Sequence, residues 1–161
     1  MIHRFLADEA ATRLLAERLA AHQPHGARVH LHGDLGAGKS TLARAWLRAL
    51  GVTGTVRSPT YTLVERYPVE GGEALHLDLY RIGDAAELDF LGLDDVEGAL
   101  WLVEWPERGA AALPQPDLDV ALAIDGTGRR VALEAASVAG RAWLDALRRD
   151  PCLTTIPEPK P

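Results

Sequence analysis

The sequence predicts a single α/β domain of three layers, with a mainly parallel central sheet and a C-terminal antiparallel hairpin. Two observations lead to this prediction. Between Asp8 and Arg149, segments with the apolar spacing of helices alternate with short segments typical of strands. The chain also has 161 residues, of which 47% are apolar, and this is enough to bury one core. We therefore predict one domain over residues 1–150.

Three segments have the spacing of amphipathic helices. Asp8–Ala21 begins with an aspartate that can cap a helix, and its leucines recur at helical intervals. Lys39–Leu50 and Val138–Arg149 show the same periodicity. Asp84–Leu91 predicts a shorter helix. The three long segments are predicted to supply the helical layers of the domain.

Strand patterns account for most of the remaining sequence. In Ala74–Tyr80 three leucines point one way, and His76, Asp78 and Tyr80 point the other. Ala99–Val103 is a continuous apolar run, as expected of a strand covered on both faces. Further strands or extended segments are predicted at Arg28–His32, Thr55–Tyr67, Asp117–Ile124 and Arg130–Ala135, the last two joined in a hairpin by the turn Asp125–Gly128.

Composition narrows the possible functions. The single cysteine, Cys152, excludes an intrachain disulfide and a cysteine metal cluster. A net charge of -6 argues against autonomous nucleic-acid binding, which depends on neutralising phosphates. No apolar stretch approaches the ~18 residues of a membrane span, so we expect no membrane association and a cytoplasmic location. The tail from Pro151 to Pro161 contains four prolines and is expected to be disordered.

One glycine-rich segment has the spacing G-x-x-x-x-G-K-[ST] of a phosphate-binding loop. Its residues are Gly33, Asp34, Leu35, Gly36, Ala37, Gly38, Lys39 and Ser40, followed by Thr41. Glycines let the backbone turn around an anion, and the following helix directs its positive end at the phosphates. The lysine is predicted to reach the β- and γ-phosphates, the serine hydroxyl to bind Mg²⁺, and the threonine to donate to the α-phosphate. The chain has only one other lysine, Lys160.

Two acids are candidates for the second metal contact that phosphate-loop enzymes need. Glu104 directly follows an apolar strand, and Asp78 lies on the alternating strand. Either could hold Mg²⁺ through water while the other polarises the attacking water, and the sequence leaves open which one binds the metal. The structural alternative is that one of them pairs with Arg81 or Arg108.

Three further residues can be interpreted either as structural or as functional. Trp105 follows Glu104, and a tryptophan at a strand end usually serves packing. Thr60 lies in a Ser-Pro-Thr segment after the phosphate-loop helix, where a threonine can sense the γ-phosphate and metal, or simply lie in a proline turn. His76 is predicted to be structural, because the residues near it do not form the spacing pattern of a histidine metal site.

Four motifs occur in order along the chain: GDLGAGKST at Gly33–Thr41, SPTY at Ser58–Tyr61, HLDLYR at His76–Arg81 and VEWP at Val103–Pro106. In this combination the chain resembles the TsaE family, the bacterial ATPases of tRNA threonylcarbamoyladenosine synthesis. The resemblance runs from about Asp8 to Gly140. Four ordered motifs are far more specific than a phosphate loop alone.

The resemblance implies a P-loop NTPase domain and an ATPase with ATP and Mg²⁺ as cofactors. It also implies TsaD-like and TsaB-like subunits as partners, with tRNA reached only through that complex. Hydrolysis would be slow in the isolated protein and faster in the complex, and it would reset the complex between turnovers. The threonylcarbamoyl group would be transferred by a partner to adenosine 37 of the tRNA, not by this chain.

The resemblance also assigns roles to individual residues. It makes the lysine, serine and threonine of the loop nucleotide contacts, and Thr60 a switch residue. Ser40 and Glu104 become the metal pair, with Asp78 also required. The family often has threonine where this chain has Ser40, and both side chains supply the hydroxyl. The resemblance also makes three residues necessary for activity or partner contact: Tyr80, Arg81 and Trp105. Four others would flank the adenine: Asp8, Glu9, Gly128 and Arg129.

Two other functions stay open at this point. A small phosphate-loop kinase would transfer phosphate and usually closes an arginine-bearing lid over it. The short Ala- and Pro-rich region after Glu104 shows no such lid. A nucleotide-gated binding module would use Thr60 and Asp78 to move a surface, and hydrolysis would be incidental.

Overall fold

The structure is a computed structural model that describes residues 1–93, 98–109 and 111–161. Three α-helices lie in this part of the chain: α1 (Glu9–His22), α2 (Lys39–Ala49) and α3 (Val138–Arg148). The strands are β1 (Ile2–Leu6), β2 (Arg28–His32), β3 (Val64–Val69), β4 (Gly72–Asp78), β5 (Leu100–Glu104), β6 (Leu118–Asp125) and β7 (Gly128–Ala135). All of these strands join in one sheet with the order β1-β7-β6-β2-β5-β4-β3.

The sheet is mixed, which corrects the prediction of a mainly parallel one. Its centre is parallel, since β2 pairs with both β5 and β6, and β5 pairs with β4. The pairs β1–β7, β3–β4 and β6–β7 are antiparallel. Short connections fold β3 onto β4 and β6 onto β7, and a tight turn can join only antiparallel neighbours. β1 was not predicted, and it pairs with β7 from the far end of the chain.

The two faces of the sheet are covered differently. Side chains from all three α-helices pack with the sheet in one core cluster that includes Leu19, Trp46 and Leu147. A second cluster covers the other face at β4 and β5 and includes Leu88 and Leu113. Within the described residues, this second layer contains 3₁₀-helices rather than α-helices, among them Ala85–Leu91 at the segment predicted as a short helix. No helix in the described ranges is long and apolar enough to cross a membrane.

The tail does not have the disorder that its prolines suggest. Leu153 and Ile156 are buried in the main core cluster. The backbone N–H of Phe5 donates to the carbonyl of Pro157 at 2.7 Å. The Asp150 carboxylate accepts the N–H of Cys152 at 2.8 Å. The composition-based expectation did not take into account these two apolar side chains, which pack in the main core cluster.

The strand order determines where polar residues gather. β5 lies between β2 and β4, and all three strands are parallel, so their carboxyl ends meet at one edge of the sheet. At this edge Glu104 is in register with Asp78 on one side and with Leu31 on the other. The loop that follows β2 leads directly into α2. The fold therefore brings the glycine-rich loop and both candidate acids to the same edge.

Candidate functional site

The glycine-rich loop between β2 and α2 has a backbone that only glycine adopts easily. Gly36 and Gly38 have φ values of 79° and 104°, in the left-handed region. At Gly33, a Cβ atom would lie 2.5 Å from the carbonyl oxygen of Leu122, so no side chain fits there. No side chain caps the start of α2. Its first N–H groups are left to a ligand, and such a helix start favours anions.

Lys39 turns back over this loop. Its Nζ donates to the carbonyls of Gly33 and Asp34, the latter at 3.0 Å. The same nitrogen lies 4.3 Å from the ring centroid of Trp105. Burial lowers the pKa of Lys39, whereas the negative charge of Glu104 nearby raises it. The ammonium group is held between the loop and the acidic edge, where a phosphate group can replace the carbonyls as its partner.

Ser40 and the two acids form a set of oxygen atoms beside the lysine. The Ser40 hydroxyl donates to both carboxylate oxygens of Glu104, at 2.9 and 3.1 Å. Asp78 lies on the neighbouring strand and accepts the N–H of Tyr80 at 3.0 Å. Burial raises the pKa of Asp78, and the charge of Glu104 adds to this effect. One hydroxyl and two carboxylates are the oxygen ligands that Mg²⁺ prefers, so these residues fit the predicted ion.

His76 has a closer connection to this set than sequence analysis indicated. It is fully buried, and its Nε2 lies 2.6 Å from Oε2 of Glu104. Its other ring nitrogen, Nδ1, has no hydrogen-bond partner among the described residues. His76 and Asp78 are two residues apart on β4 and therefore share a face, which was the available signal. The ring fixes the orientation of the glutamate that also accepts from Ser40.

The Trp105 ring that contacts the lysine packs in turn against a second aromatic ring and an arginine. Trp105 has a left-handed backbone, with φ at 55°, which turns its ring back over the cleft. The rings of Tyr80 and Trp105 have centroids 4.9 Å apart. The Arg108 guanidinium lies 4.8 Å from the centroid of Tyr80 and 5.6 Å from that of Trp105. Arg108 thus stacks on aromatic rings, and it forms no ion pair with Glu104 in the described part of the chain.

Most of the predicted site residues line one cleft of about 520 Å³. Thr60 belongs to its wall, and its hydroxyl lies 2.7 Å from that of Ser58. Arg81 also lines the cleft and packs over the ring of Tyr61, with its guanidinium carbon 5.0 Å from the centroid. The other lining residues are Leu35, Gly36, Gly38, Lys39, Ser40, Thr41, Asp78, Tyr80, Glu104, Trp105 and Arg129.

Three residues of the glycine-rich loop do not line this cleft but determine the conformation of the loop. Gly33 approaches the backbone of β6 too closely for a side chain. The Asp34 carbonyl accepts both the lysine ammonium and the N–H of Ala37. Ala37 is 1% exposed and packs into the core. Their contribution to a bound nucleotide would come through loop conformation and backbone groups.

A second cleft of about 350 Å³ adjoins the first and shares Gly38, Thr41 and Arg129 with it. Its wall contains the residues that the resemblance predicts to flank the adenine, Asp8, Glu9, Gly128 and Arg129, together with Leu6, Ala7, Thr12 and Thr127. Asp8 also caps α1, because its carboxylate accepts the N–H of Ala11 at 2.9 Å. Arg129 connects the two clefts by donating to the carbonyl of Gly36 at 3.1 Å.

Comparison with known proteins agrees with the motifs. The family model described as "Threonylcarbamoyl adenosine biosynthesis protein TsaE" matches residues 6–131. The tRNA threonylcarbamoyladenosine biosynthesis protein TsaE of Haemophilus influenzae is 41% identical over 130 residues, which cover 80% of this chain and 82% of that protein. The protein of the same name from Bacillus subtilis is 36% identical over 121 residues, or 74% and 75% of the two chains.

The fold agrees as well. The crystal structure of Bacillus subtilis YdiB superposes with a TM-score of 0.76 at 26% identity, covering 92% of this chain and 94% of that one. The superposition therefore extends over most of both chains. On sequence and on structure, the chain belongs to the TsaE family of threonylcarbamoyladenosine biosynthesis proteins.

Proposed function

We propose that this protein is a Mg²⁺-dependent ATPase that serves tRNA threonylcarbamoyladenosine biosynthesis. The observation that supports this most directly is the contact of the Ser40 hydroxyl with both oxygens of Glu104, directly below the uncapped start of α2. A hydroxyl, a carboxylate and a helix start in this arrangement suit a metal–phosphate group. The relatives are named tRNA threonylcarbamoyladenosine biosynthesis proteins, and these names support a role of the proposed activity in tRNA modification.

The two adjoining clefts suit the two ends of ATP. The triphosphate would lie along the loop, with Lys39 and the first N–H groups of α2 as donors. The second cleft would take the adenosine end, between Glu9 and the turn that carries Gly128 and Arg129. Arg129 lies where the clefts join, and its guanidinium would face the phosphates when it leaves the carbonyl of Gly36.

The acidic edge would provide the metal contacts and the orientation of water. Ser40 and Glu104 would hold Mg²⁺, which supplies positive charge to the phosphate oxygens when bound. Asp78, in register with Glu104, is close enough to share the ion's water shell or to accept a proton from the attacking water. His76 would keep the Glu104 carboxylate turned toward the serine by its hydrogen bond.

Two exposed apolar side chains at the rim suit contact with protein partners. Leu35 at the tip of the phosphate loop is 63% exposed, and Tyr61 in the segment with Thr60 is 83% exposed. Both adjoin residues that would touch the γ-phosphate, so a partner that covers them would respond to hydrolysis. TsaD-like and TsaB-like subunits are the proposed partners. Hydrolysis would reset their complex, and tRNA would be reached only through it.

The chain offers a matched pair of variants to test this function, because it has only two lysines. ATP hydrolysis is measured for the purified protein, alone and with the TsaD-like and TsaB-like proteins of the same organism. We expect the partners to stimulate hydrolysis, Lys39→Ala to abolish it, and Lys160→Ala, at an exposed position of the tail, to leave it unchanged. Nucleotide binding without partner-dependent turnover would contradict the proposal.

The same preparation separates the two other functions. A kinase would yield a phosphorylated small molecule rather than inorganic phosphate, which a screen of candidate acceptors detects. A nucleotide-gated module would keep full function in tRNA modification with a Glu104→Ala variant that binds ATP but does not hydrolyse it. Loss of modification in that variant supports a requirement for hydrolysis or for the metal.

A further inference from the structure

A second cluster of metal-binding side chains lies on the face of the sheet opposite the α-helices. His30 and His32 are two residues apart on β2 and thus point the same way. The residues between and before them, Val29 and Leu31, are buried in the core on the helical side. Asp119 on β6 is in register with His30. Two histidines and an aspartate therefore stand together on a part of the sheet that the second core cluster leaves uncovered.

The ligand atoms of these three residues are close enough to bind one ion. One ring nitrogen or carboxylate oxygen from each lies within 4.8 Å of the others. Nε2 of His32 is 2.7 Å from Oδ1 of Asp119. The side chains of these two residues are 40% and 34% exposed, so an ion can enter from solvent. The two histidine rings lie edge to face, with centroids 6.3 Å apart and an interplanar angle of 66°.

The hydrogen bond between His32 and Asp119 accounts for two members of the cluster but not for His30. In the ranges that the structure describes, the His30 ring has no hydrogen-bond partner. Burial lowers the pKa of His30, and this favours the neutral ring that a metal ion requires. The hydrogen bond to Asp119 raises the pKa of His32, and a cation there would replace the shared proton. Glu107 adds negative charge near both rings.

We propose that His30, His32 and Asp119 form a binding site for a zinc-type divalent transition-metal ion, separate from the phosphate loop. Two imidazoles and one carboxylate suit Zn²⁺ and its neighbours, whereas Mg²⁺ prefers oxygen ligands alone. Three protein ligands leave a fourth position open for water or for a group from another molecule. His32 directly precedes Gly33 in the sequence, so a bound ion would hold the end of β2 where the phosphate loop begins.

The test is a titration of the full, nucleotide-free chain with Zn²⁺, in which isothermal titration calorimetry measures stoichiometry and affinity. We expect one site per chain, and at least about a tenfold loss of affinity in both His30→Gln and Asp119→Asn, because each removes one of three ligands. Circular dichroism verifies that the variants, which change only partly exposed side chains, remain folded. A parallel titration with Co²⁺ would show the visible absorption of a low-coordinate site in the wild type and its loss in both variants.

Three control variants exclude other zinc ligands. His3→Gln removes an exposed histidine from β1, and Cys152→Ser removes the exposed thiol. Asp78→Asn removes an acid from the sheet edge that carries Asp78, Glu104 and the glycine-rich loop, here named the phosphate edge. The proposal requires that all three bind Zn²⁺ like the wild type. It is overturned if the wild type binds no Zn²⁺, if His30→Gln and Asp119→Asn bind as tightly as the wild type, or if a control variant loses the site.

Discussion

Asp78 at the phosphate edge and Asp150 beside the tail are buried to nearly the same extent, with 7% and 5% of their surface exposed. Their surroundings differ. Burial opposes the ionisation of Asp150, but hydrogen bonds from His22, Arg18 and the N–H of Cys152 outweigh it and lower its pKa to about 2. Asp78 accepts one backbone N–H, from Tyr80, and burial raises its pKa.

The comparison distinguishes the Asp150 carboxylate, whose partners stabilise the fold, from the Asp78 carboxylate, which has fewer partners and is available to interact with a ligand. Asp150 joins α1 to the tail, and its partners compensate for the water that it loses on folding. At the phosphate edge, two carboxylates and a buried lysine are held together with fewer partners, and this raises the free energy of the folded protein. Buried, undercompensated charges of this kind are typical of functional sites.

The largest expected effect is on hydrolysis and comes from the phosphate edge. Glu104→Gln keeps the shape of the side chain but removes the charge that faces the serine and the proposed metal. We expect kcat to fall by about 100-fold or more, as for other groups that act on charge in the transition state. Steady-state phosphate release at saturating ATP measures this. Glu107→Gln, on an exposed glutamate three residues later, should have little effect, and an equal loss in that control would contradict the assignment.

The next effect is on stability and comes from the tail. Asp150→Asn removes the charge from the hydrogen bonds with Arg18 and His22. The pKa shift from 3.8 to about 2 corresponds to a loss of about 2 kcal/mol in the free energy of unfolding at pH 7. Urea denaturation measures it, with Asp145→Asn as the control, because that aspartate is 58% exposed and forms only a surface pair with Arg148. Hydrolysis per folded molecule should stay unchanged in both variants.

The stability contributed by Asp150 should also depend on pH in a defined direction. Its pKa is lower in the folded than in the unfolded state, so the contribution is complete above about pH 4 and is lost as the pH falls toward 2. At pH 3, about half of the difference between the wild type and Asp150→Asn should remain. Urea denaturation of both proteins at pH 6, 4 and 3 tests this. A difference that does not change over this range would exclude the ionised carboxylate as its source.

The same contrast explains which features the sequence allowed us to predict. Strand β2, the loop and α2 are consecutive, and their pattern is local, so their order and bounds follow from the sequence. Glu104 and Asp78 were predicted near the loop because the ends of parallel strands meet at one edge. Both acids line the cleft that the loop forms. Local patterns and one rule of sheet topology were therefore sufficient for this edge.

Features that depend on distant partners were missed. The sequence of β1 does not by itself indicate a strand, because its pairing partner β7 lies about 125 residues later in the chain. The tail packs because Asp150 meets Arg18 and His22, which no pattern in the tail reveals. The hydrogen bond of His76 to Glu104 requires knowledge of which strands are neighbours. Such contacts are fixed by tertiary packing, and a single sequence shows only the residues, not their pairing.

The smallest expected change in stability is the one that distinguishes the two aspartates most sharply. Asp78→Asn keeps an acceptor for the N–H of Tyr80, 3.0 Å away, and removes a charge that burial disfavours. We expect this variant to gain on the order of 0.5 kcal/mol at pH 7, since relieving strain or charge at a functional site commonly stabilises a protein at the expense of activity. Urea denaturation measures the gain, and phosphate release should show the accompanying loss of hydrolysis. If Asp78→Asn instead lost as much stability as Asp150→Asn, then Asp78 would be a structural residue, and the undercompensated charge at the phosphate edge would reside in Glu104 and Lys39.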